Sequence, residues 1–212
     1  NSSVNVPSDI FKAYGFHTWG GSNIKVDRTL EASWKSLPNF ATEAGNVMVV
    51  ADVSGSMYGE PIANSVSLAL YFAERNQGAF HNMFMTFSAK PQIVCVKDEW
   101  DVHTKMKHML KADWGMTTNV RSTYMTILKH AVDNNVPQED LPSSLVIISD
   151  MQFNARNGGG HTTSDDVKLE FEKHGYTPPV MVWWNVNASA NVPVTADETG
   201  NILVSGSSPV TF

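Results

Sequence analysis

The sequence is short of cysteine, of basic charge and of long apolar runs, and each shortage removes a class of protein. One cysteine, Cys95, leaves an internal disulfide without a second thiol. It lies in the apolar stretch Ile93-Val94-Cys95-Val96 and reads as a small buried hydrophobe. One free thiol and ten Met fit a reducing compartment. Fifteen Lys and Arg against twenty-one Asp and Glu give a net charge of −6. That balance argues against a broad basic surface for DNA or RNA on this domain. No apolar run approaches the roughly 20 residues that a spanning helix needs. The first residues lack the basic-then-apolar order of a secretion signal, and the absence of a starting methionine reads as a piece of a longer chain. There is no internal repeat, no low-complexity tract and no G-x-x-x-x-G-K-[ST] phosphate loop. The run Gly158-Gly159-Gly160 lacks a preceding strand end and a lysine, so it reads as a flexible loop. The seven His show no H-E-x-x-H or Cys/His spacing, and His161 and His174 read as surface residues rather than zinc ligands. Asn1-Ser2-Ser3 and Asn187-Ala188-Ser189 match glycosylation acceptors at about the frequency chance supplies.

What remains is a chain of 212 residues, 42% hydrophobic, which suits one folded domain with a substantial core. Residues 1–29 carry Gly, Ser, Asn and Pro with little periodicity and are expected to wrap the outside of a domain spanning 30–212. Leu30 to Leu37 reads as a short helix stopped by Pro38. Val47 to Ala51 is a buried strand. Pro61 can open a helix to about Arg75, with Ile62, Val66, Ala69, Leu70 and Ala73 at helical spacing. Phe80–Phe87 and Gln92–Val96 form a strand pair, and helices follow at about 101–112 and 120–134. A strand runs up to Asp150, a helix covers about 164–174, a strand runs from Pro179 to Asn185, and a short strand pair lies near 192–205. Asp165 and Asp166 are expected to support the start of the 164–174 helix behind Thr163 or Ser164. Trp183 and Trp184 read as core, with alternation turning one of them outward. This order implies an α/β fold, three-layered and doubly wound, with a mostly parallel sheet and helices on both faces.

Asp52-Val53-Ser54-Gly55-Ser56-Met57 follows the first strand immediately. An acid and two hydroxyls on alternate positions of one turn make a set of hard oxygen donors, which divalent cations prefer. The position matters too, because open α/β sheets place ligand sites at the carboxyl ends of their strands. Trp114-Gly115-Met116-Thr117-Thr118-Asn119, between two helices, offers a further hydroxyl. Leu145-Val146-Ile147-Ile148-Ser149-Asp150 repeats the arrangement of an apolar strand ending in an acid. Taken singly, Asp150 could be a turn or helix cap, and the Thr pair could cap the helix that follows.

Together these segments resemble the von Willebrand factor A (vWA) domain and its metal-ion-dependent adhesion site. The resemblance implies a vWA/Rossmann-like fold and a site in which Asp52, Ser54, Ser56, Thr118 and Asp150 hold a metal. Thr117 is the alternative hydroxyl; Thr118 is preferred because the family often has a small polar or acidic residue next, here Asn119. The form D-x-S-G-S-M is similar to the intracellular branch that includes Ro RNA-binding proteins and magnesium-chelatase-type subunits. Trp114-Gly115-x-x-Thr118-Asn119, Ser149-Asp150-Met151-Gln152-Phe153, Val182-Trp183-Trp184-Asn185 and Val204-Ser205-Gly206 resemble an uncharacterised family of Ro-like proteins. There a helical domain precedes a terminal vWA domain, and the likeness runs from about Leu30 to the end.

That resemblance implies a cytoplasmic protein-binding module holding Mg²⁺, with Mn²⁺ or Ca²⁺ as substitutes. In the family, hydroxyls bind the ion directly and one or both acids act through water. The ion stays electrophilic and accepts an Asp or Glu from a protein partner. No catalytic residue and no organic cofactor are assigned. The alternative is the vWA part of a Ro-like RNA-binding protein whose RNA site lies mainly in a helical domain absent here. A metal-dependent phosphoester hydrolase is a third reading. A haloacid-dehalogenase-type phosphatase needs a second acid two residues after Asp52, where this chain has Ser54, and neither serine fits a G-x-S-x-G elbow.

Overall fold

The structure is a computed structural model, and it describes residues 6–18, 25–39, 45–52, 57–86, 88–112, 119–149, 160–185, 195–196 and 202–205. Its helices are α1 (Pro7–Ala13), α2 (Arg28–Lys35), α3 (Glu60–Arg75), α4 (Val102–Leu110), α5 (Val120–Asp133) and α6 (Gly160–Lys173). Its strands are β1 (Val47–Ala51), β2 (Met83–Thr86), β3 (Ile93–Cys95), β4 (Ser144–Ser149), β5 (Val180–Asn185), β6 (Thr195–Ala196) and β7 (Ile202–Ser205).

Among the described residues these strands form one sheet in the order β3-β2-β1-β4-β5-β7-β6. β1 pairs in parallel with β2 and β4, β4 with β5, and β5 with β7, while β3 and β6 are antiparallel at the two edges. The chain thus steps outward from β1 to β3, returns to the centre, and steps outward the other way from β4. Crossovers of one hand running in opposite directions place their helices on opposite faces. Val47, Val49, Ala51, Val146, Ile148 and Trp184 pack with α1, α2, α3 and α4. Met48, Val50, Leu145 and Ile147 pack with α5 and α6. All five residues of β1 are buried, which is why its sequence is an unbroken apolar run rather than an alternation. The α/β three-layer, doubly wound arrangement expected from the sequence is the observed one.

Several details differ from the sequence reading. The N-terminal segment does not merely wrap the surface. Ile10 and Phe11 of α1, with Tyr14 and Phe16 after it, enter the same core as β1 and α3. Their spacing gives one apolar face, but seven residues are too few to register as a period. Cys95 is exposed rather than buried, because β3 is an edge strand with a thinly covered face. The strand expected from Phe80 starts at Met83, since residues 78–80 form a 3₁₀ turn. α6 starts at Gly160, which puts Asp165 and Asp166 in its second turn, and Asp166 reaches Arg121 of α5 at 2.6 Å. Trp183 does not turn outward: it packs partly buried in the second core while Trp184 fills the first, because helices cover both sheet faces. His174 is exposed, as expected. No described helix is long and apolar enough to cross a membrane.

Candidate metal centre at the carboxyl edge of the sheet

The carboxyl ends of the parallel strands carry a row of polar residues. Thr86 ends β2, Asp52 follows β1, Ser149 ends β4, Asn185 ends β5 and Ser205 ends β7. Strand register brings these together: Ala51 is opposite Thr86 and Ile148, Ser149 is opposite Asn185, and Asn185 is opposite Ser205.

Asp52 lies at the point where the strand order reverses, between β1 and β4, the place at which open α/β sheets bind ligands. Its backbone N–H donates to the Ile148 carbonyl at 2.9 Å, which extends the β1–β4 ladder by one residue. Its side chain is buried, the residue being 1% exposed, and its Oδ2 accepts the Ser149 hydroxyl at 3.1 Å. A carboxylate taken out of water at a strand end, beside a hydroxyl, supplies the hard oxygen donors that a divalent cation takes. The sequence alone points to Asp150 rather than to Ser149 at the end of β4. The signal for it was the serine that breaks an apolar strand one residue before the acid.

Ser54, Ser56, Thr117, Thr118 and Asp150 lie outside the described residues, so Asp52 is the member of the expected ligand set that the structure describes. The residues flanking the others are in view. Met57, the first described residue after Asp52, is fully buried in the first core. Asn119, next to Thr118, caps α5 by accepting the Ser122 N–H at 3.0 Å, so the capping role open to the Thr pair belongs to Asn119. Among the described residues no three His, Cys, Asp or Glu gather as a metal-binding cluster. A site of two acids and three hydroxyls would not form such a cluster.

The start of α3 is held from the N-terminal segment. The Gly59 N–H donates to the His17 carbonyl at 3.0 Å, and Lys12 pairs with Glu60 at 2.9 Å. Gly59 has φ of 98°, a conformation that L side chains avoid, and this turns the chain into α3. The positive end of a helix disfavours a nearby cation, so a cation beside α3 would need a carboxylate such as Asp52 to offset it. Arg121, in the first turn of α5, would face the same penalty at its own helix start. Its hydrogen bond to Asp166 matches the charge and holds the guanidinium pKa above its ordinary value.

Comparison with known proteins agrees with this architecture. The crystal structure of the Deinococcus radiodurans RO (RSR) protein superposes with a TM-score of 0.53 over 95% of this chain and 41% of that one, at 15% identity. Identity that low establishes a shared fold. An uncharacterised protein, L728 of Acanthamoeba polyphaga mimivirus, is 31% identical over 191 residues, which are 87% of this chain. The chain spans 33% of the length of that protein. The family described as a domain of unknown function, DUF7788, matches residues 46–211, from the residue before β1 to the penultimate position, and the chain belongs to that family.

Proposed function

We propose that this domain is a metal-dependent protein-binding module. Asp52, Ser54, Ser56, Thr118 and Asp150 would hold a divalent cation, Mg²⁺ in the cell, at the carboxyl edge of β1 and β4. The cation would accept an Asp or Glu from a protein partner. One observation carries the reading: the Asp52 carboxylate is buried beside the Ser149 hydroxyl at the switch point of the sheet. The D-x-S-x-S turn that begins at Asp52 and the acid after β4 support it from the sequence. Two carboxylates would formally neutralise the ion, and the hydroxyls would complete its shell without adding charge. Nothing in this arrangement calls for hydrolysis, and Ser54 stands where a phosphatase would need a second acid. A cytoplasmic setting belongs to the same proposal.

The test is thermal unfolding with millimolar Mg²⁺, Mn²⁺ or Ca²⁺ against chelator. An ion bound only to the folded state at 100-fold excess over its Kd adds about 2.7 kcal/mol. For a domain of this size that raises the melting temperature by roughly 5–10 °C. An unchanged melt in all three ions would remove the metal reading. A pull-down in Mg²⁺ against chelator then identifies partners that need the ion.

A second reading is favoured by the fold shared with the RO (RSR) protein. The domain would then be the vWA part of a Ro-like RNA-binding protein, with RNA held mainly by another domain. Retention of RNA by this chain alone, unaffected by chelator, supports that reading.

A further inference from the structure

Asp52 is tied to β4 at two consecutive residues. Its backbone N–H donates to the Ile148 carbonyl at 2.9 Å, and its Oδ2 accepts the Ser149 hydroxyl at 3.1 Å. Register explains why the two side chains meet. Ala51 is opposite Ile148, so the next step of the β1–β4 ladder sets Asp52 opposite Ser149. Side chains alternate between the faces of a strand, and Met48 and Val50 of β1, with Leu145 and Ile147 of β4, enter the second core. The same alternation puts Asp52 and Ser149 on that face, at its carboxyl end. Both residues are 1% exposed, so bulk water competes little for the contact.

On the reading above that Asp52 serves a divalent cation, we infer that Ser149 is the positioning residue that makes the site discriminate Mg²⁺ from Ca²⁺. Carboxylate ligands are oriented and tuned by the hydrogen bonds they accept. A hydroxyl donating to Oδ2 draws charge from that oxygen and opposes rotation of the carboxylate. Asp52 therefore offers its two oxygens unequally and in one fixed orientation. Ca²⁺ gathers roughly six to eight oxygens in flexible geometry and often takes both oxygens of one carboxylate. Mg²⁺ demands a near-ideal octahedron at shorter distances and keeps several waters, so one carboxylate oxygen, direct or through water, serves it. A fixed carboxylate with one oxygen already engaged suits Mg²⁺ and penalises Ca²⁺. Ser149 acts through Asp52 and is not itself a ligand.

The experiment titrates the full chain with Mg²⁺ alone and with Ca²⁺ alone by calorimetry, for the parent, Ser149→Ala and Ser149→Thr. Loss of a group that orients a metal ligand costs about 10–100-fold in affinity, and Ser149→Ala is expected to weaken Mg²⁺ binding by that much. Ca²⁺ binding should fall less, so the ratio of the two affinities narrows. Ser149→Thr keeps the hydroxyl and should restore both the Mg²⁺ affinity and the ratio. Should Ser149→Ala fail to fold, Ser149→Cys is read in its place, because its thiol is a weaker donor of similar shape and should narrow the same ratio. A purely structural serine would weaken both ions alike, and an unchanged ratio in the Ala or Cys variant overturns the inference. Failure of Ser149→Thr to restore the ratio overturns it too. A parent that binds ions with a ratio indifferent to residue 149 keeps the metal reading and removes the role of Ser149. A parent that binds neither ion removes both.

Discussion

Ser54→Ala and Asp150→Ala each take one oxygen donor from the proposed cation site, and they should separate ligation from folding. Either change is expected to abolish ion-dependent stabilisation and ion-dependent partner capture while leaving the metal-free domain folded. Asp150→Ala also removes one of two crowded carboxylates, whose mutual repulsion raises the energy of the empty site. The metal-free variant is therefore expected to melt no lower than the parent. Val49, fully buried in β1, gives the contrast: Val49→Ala should cost about 1–4 kcal/mol with or without an ion. If Asp150→Ala unfolds the protein in chelator, the acid is a structural cap and the site loses a main support. The position of Asp52 at a strand end was legible because the acid directly follows five apolar residues. Ser149 is visible locally as a serine that breaks an apolar strand, but its bond to Asp52 is not, since it joins residues 97 apart and depends on strand order.

At the scale of elements, Glu31 of α2 does the work of a remote cap for α4. Its Oε2 accepts the Val102 N–H at 2.8 Å and its Oε1 the His103 N–H at 3.1 Å, two donors that the first helical turn leaves without partners. The Tyr14 hydroxyl donates to the same Oε1 at 2.6 Å, and burial with that contact pushes the phenol pKa well up. Asp101 takes the next donor locally, accepting the Thr104 N–H at 2.7 Å. Glu31→Ala takes this acceptor from the Val102 and His103 N–H groups, while the Tyr14 hydroxyl keeps its bond to the Asp27 carbonyl at 3.3 Å. It should cost about 1–3 kcal/mol, read as a lower urea midpoint with the slope unchanged. Glu31→Gln, which keeps one accepting oxygen, should recover part of the loss. Equal midpoints for parent and both variants would mean that water serves those donors as well as Glu31 does. The helices and strands from β1 onward were readable because long apolar faces alternate with turn residues. α1 is only seven residues long and was missed. The cap on α4 was invisible because Glu31 and Val102 are 71 residues apart in the chain.

For the whole molecule, the family match begins at residue 46, yet the folded unit does not. Ile10, Phe11, Tyr14, Phe16, Trp34 and Leu37 all lie in the core that covers one face of the sheet. Trp34 also donates its indole N–H to Glu74 at 2.6 Å, and that carboxylate holds the buried Lys105 at 3.2 Å. Removing residues 1–45 would expose the outer side of α3 and leave Glu74 and Lys105 without the lid that keeps water from their pair. Each large apolar side chain buried contributes about 1.5–3 kcal/mol, so losing six approaches or exceeds the roughly 5–15 kcal/mol by which a domain is stable. A chain of residues 46–212 is therefore expected to lose the near-ultraviolet circular dichroism and the cooperative urea transition of the full chain. Adding back residues 1–45 as a separate peptide should restore neither fully, because covalent attachment supplies the effective concentration at which α1 and α2 dock. A shortened chain that unfolds cooperatively at the parent's midpoint would show that α1 and α2 rest on a core already complete without them.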